Sequence, residues 1–255
     1  MLVGVTSVKG SPGVSTLALA MTLAWQNPVL LAELDPAGGD LRPRLMPSLN
    51  GSHQLLNLAS LDSLTSRDVA SQVVSLDPPQ HTKVVLPGLT DPTTAPALGQ
   101  TWTELADVLT SFHLRERHAP LDVIADCGRL GADSPHAVLA RADVVVVVLR
   151  ARLDSVALAA PAIRRWKATS HVPILPVVVQ NGPYSPRDID QTLGARSVRL
   201  HFDAKGAQAL ESGRWGRKLD HSPLMRGARG LINHVAKKDS RRDVEAFLAA
   251  GSSRG

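Results

Sequence analysis

The sequence predicts an α/β fold, a doubly wound and mostly parallel sheet with helices on both faces, and three observations carry that prediction. Short runs rich in β-branched residues recur along the chain, the longest of them Val144–Leu149 (VVVVVL), and continuous apolar runs of this kind belong to strands covered on both faces. Stretches of helical length lie between them, and strand–helix alternation is the pattern of a parallel sheet. The chain has 255 residues, 44% of them apolar and 20% charged, which is enough to bury one full core as a single unit.

In chain order, Leu2–Val8 is the first strand, and Ser15–Trp25, an apolar stretch after a glycine-rich turn, is the first helix. Val29–Leu34 is the second strand. Residues 40–83 are rich in Pro, Ser and Asn with little periodicity, and read as loop with short helices around Leu55–Leu61 and Ser66–Val74. Strands follow at Val84–Leu86, Leu121–Ala125, Val144–Leu149, Ile174–Val179 and, weakly, Val198–Leu200. Helices are expected at Gln100–His113, Ser134–Ala140, Ser155–Thr169 and Gly227–Lys237. One domain over residues 1–238 is expected, with 239–255 a polar, partly disordered tail.

Composition excludes several chemistries. The single cysteine, Cys127, rules out an internal disulfide framework and a cysteine-rich zinc module, and it fits a reducing cytoplasm. Following Asp126 in an expected turn, it reads as a small packing residue. The nine histidines show no HExxH or other ligand spacing. Aromatic residues make up only 3% of the chain, too few for an extended stacking platform. Trp25, Trp102 and Trp166 read as core, and so does Trp215, with an exposed contact role for it as the alternative. No apolar run approaches the ~20 residues of a spanning helix, and the amino terminus reads as a strand, not as a secretory signal.

Chemistry concentrates after the first strand, at Lys9-Gly10-Ser11-Pro12-Gly13-Val14-Ser15-Thr16. Strand, glycine-rich turn and helix in that order form a phosphate cradle, because turn and helix N-terminal N–H groups converge on one point. The P-loop consensus places lysine directly before the Ser/Thr, whereas this chain has Val14 there. A turn that holds no ligand is therefore an open alternative. A dinucleotide GxGxxG is absent. The second strand ends in Glu33-Leu34-Asp35-Pro36, and the fourth in Asp126-Cys127-Gly128, an acid with a turn expected at once after it. Ligands of open α/β sheets bind beyond such strand ends. There Asp35 and Asp126, with the Ser15 hydroxyl, are placed to hold Mg²⁺ and water near phosphates.

Taken together these motifs resemble the ParA/MinD group of P-loop ATPases, whose first motif reads KGGxGK(S/T)T, from Met1 to about residue 235. Lys9 falls on the family's signature lysine, which reaches across a nucleotide-sandwich dimer to the partner's phosphates. Gly10, Gly13, Ser15 and Thr16 also match; Ser11 replaces a glycine and Val14 the phosphate-binding lysine. Glu33 and Asp35 fall on the acidic pair of the DxD-P motif, Asp126 on the switch acid, and Lys83-Val-Val-Leu-Pro-Gly88 on the strand before the central helices. Asn181 matches the asparagine that reads adenine. His201-Phe202-Asp203 resembles the loop near the base, with His201 in place of a proline.

The resemblance implies ATP and Mg²⁺ as cofactors, bound across residues 10–16, Asn181, Phe202 and Asp203, with metal at Ser15, Asp35 and Asp126 and catalysis, if any, through Lys9 and Asp35. It implies a homodimer with a protein partner in bacterial partitioning, positioning, or secretion and pilus assembly, where members of the TadZ/CpaE sort carry atypical loops. Losing the loop lysine costs about 1.5–3 kcal/mol of binding, about ten- to 150-fold in affinity, and hydrolysis suffers more than binding unless Lys9, Arg42 or Arg129 substitutes. The first reading is thus a protein that binds and positions without efficient ATPase action, and the second an atypical slow ATPase. The net charge of +5 and the arginines at 196, 199, 214, 217, 226 and 229 with Lys218 permit non-specific DNA binding. In the tail, one Phe and one Leu are thin anchoring for a membrane helix.

Overall fold

A computed structural model describes residues 1–45, 53–113 and 121–236. Among them the sheet has eight strands: β1 Leu2–Ser7, β2 Val29–Glu33, β3 Val74–Ser75, β4 Lys83–Leu86, β5 Asp122–Arg129, β6 Val144–Arg150, β7 Ile174–Gln180 and β8 Val198–His201. Their order across the sheet is β3-β4-β2-β5-β1-β6-β7-β8, and every pairing is parallel except β3 with β4. The doubly wound parallel sheet is thus observed, and the two-residue antiparallel β3 is an addition to the expected strands.

Both faces are covered, which is why the strands read as unbroken apolar runs. In β6, Val145 and Val147 enter one cluster, with Val123 and Ala125 of β5. Val144, Val146 and Val148 enter the other, with Val3 and Val5 of β1. The first cluster is closed by α4 (Thr101–Thr110) and α5 (His136–Arg141). The second is closed by α1 (Val14–Ala24), α8 (Ala204–Glu211) and a last helix, α10, over residues 223–236. Toward the β7 side, α6 (Leu153–Thr169) and α7 (Pro186–Leu193) bury Ile163 and Ile189 against Val178. Each such buried side chain contributes about 1.5–3 kcal/mol of transfer free energy.

Several elements differ from expectation. The helix expected over Ser66–Val74 is α3, Ser66–Gln72, because Val74 pairs with β4 instead. Leu55–Leu58 is a single 3₁₀ turn. Four helices were not anticipated: α2 (Leu41–Leu45), α7, α8 and the short α9 (Arg217–Asp220). Cys127 is fully buried as a packing residue. No turn follows Asp126 at once: β5 runs on to Arg129, with a register shift against β1 between Val5 and Ser7. The expected tail, residues 239–255, lies outside the described residues. Among the described residues no helix is long and apolar enough to cross a membrane.

Candidate functional site

The carboxyl ends of β1, β2, β5, β6 and β8 open on a cleft of about 850 Å³, a size suited to a small-molecule ligand. Its walls include Gly10, Ser11, Pro12, Gly13, Val14, Ser15 and Thr16 on one side, Asp35 and Arg129 beside them, and Phe202 and Asp203 opposite. These eleven residues, all singled out by sequence, therefore meet in one place. Lys9, Asn181 and Asp126 are not among the walls.

The loop is a cradle by its backbone. Gly13 is the N-cap of α1 with φ 99°, a left-handed conformation suited to glycine, and it brings no side-chain cap to the helix. The first-turn N–H groups of α1, which have no intrahelical acceptor, are left open toward the cleft. Pro12 contributes no N–H of its own. Beneath the loop, the Ser7 hydroxyl is buried, lines the cleft and has no hydrogen-bond partner. A buried unpaired hydroxyl costs free energy, and it marks a place where a polar ligand fits.

Val14 is 6% exposed and packs in the apolar cluster over α1 while its residue also borders the cleft. Where a lysine would bring charge, this chain has a nonpolar floor.

The acids behind the loop divide into distinct roles. The Glu33 carboxylate accepts from the backbone N–H groups of Asp40 (2.8 Å), Leu41 (2.9 Å) and Gly88 (3.1 Å). It is a latch between strand ends, and burial pushes its pKa up against those bonds. Glu33 therefore does not join Asp35 as an open acidic pair. Asp35 borders the cleft and accepts from Ala37 N–H at 2.8 Å; partial burial raises its pKa, while Arg129 opposes the shift. Asp126, beside Glu33 in the β2–β5 register, is fully enclosed and bonded by the Ser15 hydroxyl and the Gly128 N–H. Burial pushes its pKa up to about 7. Gly128 has φ 58°, and a Cβ there would lie 2.0 Å from the Asp35 carboxyl, so only glycine lets these two strand ends close together.

The donor set of Ser15, Asp35 and the enclosed Asp126 suits a cation that keeps most of its water and takes oxygens from a substrate. Among the described residues no group of three or more His, Cys, Asp or Glu forms an all-protein metal cage.

Lys9 points elsewhere: its Nζ is 3.9 Å from Asp154 Oδ2 at the start of α6. On the opposite wall the Asp203 carboxylate is already committed. It caps α8 by accepting from Gly206 N–H (2.8 Å) and holds Leu224 N–H (3.1 Å). Phe202, 53% exposed, borders the cleft. Asn181 is exposed beyond β7, its N–H bonded to the Val179 carbonyl.

Sequence reading missed three wall residues that structure adds. Arg44 is paired with Asp40 (3.4 Å) and Glu211 (3.5 Å), and Glu211 also accepts from the Thr16 hydroxyl (3.3 Å). Arg150, closing the apolar run of β6, donates from one terminal nitrogen to the Ser11 carbonyl at 2.9 Å. A lone charge closing a buried strand is the signal that could have found it. Of the cations expected to replace the loop lysine, Arg129 borders the cleft and Arg42 does not.

The carboxyl-terminal arginines do not form one free surface. Arg199 is paired with Asp190 and Arg229 with Asp220, and Arg226 bonds the His221 carbonyl. Arg214, Arg217 and Lys218 share with Lys205 a groove of about 660 Å³. Trp215 forms part of its wall, half-buried, with its ring N–H given to the Leu210 carbonyl.

No protein-family model matches the sequence, and no curated protein is similar to it. Solved structures are similar in fold. A ParA family ATPase from Chlorobium tepidum aligns over 91% of this chain and 98% of its own with a TM-score of 0.70 at 18% identity. The septum site-determining protein MinD from Pyrococcus horikoshii, complexed with Mg-ADP, covers 93% and 96% with a TM-score of 0.65 at 16% identity. A plasmid partition protein from Borrelia burgdorferi bound to AMPPNP covers 93% and 98% with a TM-score of 0.71 at 13% identity. At these identities the likeness is one of architecture: the chain has the fold of the ParA/MinD P-loop ATPases.

Proposed function

We propose that this chain is a positioning or partitioning protein that binds Mg·ATP in the cleft with reduced affinity and has lost efficient ATPase action. The observation that carries this reading is the meeting of an open N–H cradle, an orphaned Ser7 hydroxyl and the Ser15–Asp126 pair on a floor where Val14 replaces a cation. In the proposal, residues 10–16 hold the phosphates, Ser15 and Asp35 face Mg²⁺ with Asp126 behind them, and Phe202 lies along the base. Bound Mg²⁺ would neutralise phosphate charge; this chain's residues orient the nucleotide and enclose its phosphate end.

The proposal includes a homodimer formed through the loop face, with Lys9 leaving Asp154 to meet the second subunit, and an unidentified protein partner. Bacterial partitioning, spatial organisation, or secretion and pilus assembly are the processes that such a protein would serve. The groove of Arg214, Arg217, Lys218 and Lys205 is the part of the surface suited to DNA phosphates, with affinity that fades steeply as salt rises. A second reading, a slow ATPase, is favoured by the arginines that do border the cleft, Arg129 and Arg150. Phosphate release by purified protein with Mg·ATP, measured beside equilibrium nucleotide binding, tests both. Binding without release above blank supports the first reading, release above blank the second, and no binding refutes the nucleotide role altogether.

A further inference from the structure

We infer that Arg150 contacts the phosphate chain of the bound nucleotide, supplying the cation that position 14 lacks; this rests on the nucleotide reading above and adds the residue that senses the ligand's charge. Arg150 ends β6 at the carboxyl edge of the sheet, opposite Val179 of β7. From there its guanidinium reaches the glycine loop itself, at the Ser11 carbonyl.

Three basic side chains border the cleft, Arg44, Arg129 and Arg150, and their surroundings separate them. Arg44 is neutralised between Asp40 and Glu211. Arg129 lies in the field of Asp35. Arg150 has no carboxylate within ion-pair distance among the described residues.

A guanidinium offers five N–H donors in a rigid fork. One is used on Ser11, which fixes the plane of the group, and the rest are held beside the cradle at little further entropic cost. The Ser11 carbonyl needs one donor, which a neutral side chain can give. The uncompensated charge is what bracing alone leaves unexplained, and a polyphosphate beside the loop is the ligand that uses it.

The test is equilibrium binding of Mg·ATP and of adenosine to the full chain and its R150Q and R150K variants, with thermal midpoints measured in the same buffer. R150Q keeps a donor but removes the charge. Its ATP affinity is expected to fall about tenfold or more, with adenosine affinity unchanged and a shallower dependence of ATP binding on salt. R150K is expected to fall between, about threefold below the parent, and it decides the question if R150Q does not fold. Unchanged ATP affinity in a folded variant, or equal losses for ATP and adenosine, overturns the inference while the nucleotide reading stands. A parent chain that binds neither ligand overturns the nucleotide reading and the inference with it.

Discussion

On one side of the cleft, the glycine loop, Ser15 and Asp35 follow β1 and β2 in the middle of the sheet, with Asp126 of β5 enclosed behind them; on the other, Phe202 and Asp203 follow β8 at its edge. The central side is fixed by neighbours on both flanks. Register places Glu33 beside Asp126, and Gly128 lets Asp35 close over the strand end. The edge side is fixed by what its own loop can cap. Asp203 is consumed by Gly206 and Leu224, and Asn181, beyond β7, lies outside the cleft. Glu33 at the centre and Asp203 at the edge are both spent on backbone N–H groups; the centre differs in bringing the glycine loop and Asp35, with its one backbone bond to Ala37, to the cleft wall.

The largest effect expected from this contrast is on the central side. Glu33→Ala leaves three N–H groups without an acceptor, those of Leu41 and Gly88 buried and that of Asp40 partly so, and urea unfolding should show a loss of about 3–5 kcal/mol. Glu33→Gln, whose amide oxygen keeps the Asp40 and Leu41 bonds, should lose less. A loss below about 1 kcal/mol for the alanine variant would break the picture of a latched centre.

Asp126 sharpens it through pH. Because its native pKa is raised to about 7 from 3.8, the folded chain keeps a proton that the unfolded chain releases above pH 4. Stability from this group is full below about pH 4 and is lost as pH rises through about 7, on the order of 2–4 kcal/mol in all. Glu33 and Asp35, also raised, add to the same slope. Asp126→Asn, always neutral, should flatten part of the fall between pH 4 and pH 7 in unfolding measurements, and an unchanged slope would contradict the assignment.

At the edge, Asp203→Ala should cost about 1–2 kcal/mol of stability, as loss of a helix cap does. Phe202→Ala should leave stability within about 0.5 kcal/mol and weaken nucleotide binding about fivefold, the scale of one aromatic contact. The smallest effect belongs to Asn181→Ala, exposed and away from the cleft, with stability within about 0.5 kcal/mol and unchanged affinity. A large loss of ATP affinity there would show that the edge closes on the ligand.

The fold was legible because buried parallel strands leave continuous apolar runs, as in VVVVVL, that no surface pattern imitates. The loop was legible for a related reason: Gly13 stands where the backbone must turn left-handed before α1. α7 and α8 were missed because their apolar faces are short. Their signals lie in caps, with Ser185 before Pro186 and Asp188 in one case and Asp203 before Gly206 in the other. The commitments of Glu33 and Asp203 to backbone N–H groups far along the chain leave no local mark in sequence. Arg150 carries a local mark, the charge that closes VVVVVL, but its bond to Ser11, 139 residues away, carries none.

In the proposed function the loop is an intact phosphate cradle whose weakness is the missing cation at position 14. Calorimetric titration of the parent chain and Val14→Lys with Mg·ATP tests it most directly. A lysine there can keep its stem in the apolar cluster that now holds Val14 and extend its ammonium into the cleft. Binding is expected to tighten by about tenfold or more, with the variant folded. A folded Val14→Lys protein that binds Mg·ATP no better than the parent, or not at all, would contradict it and leave residues 10–16 as a turn without a ligand.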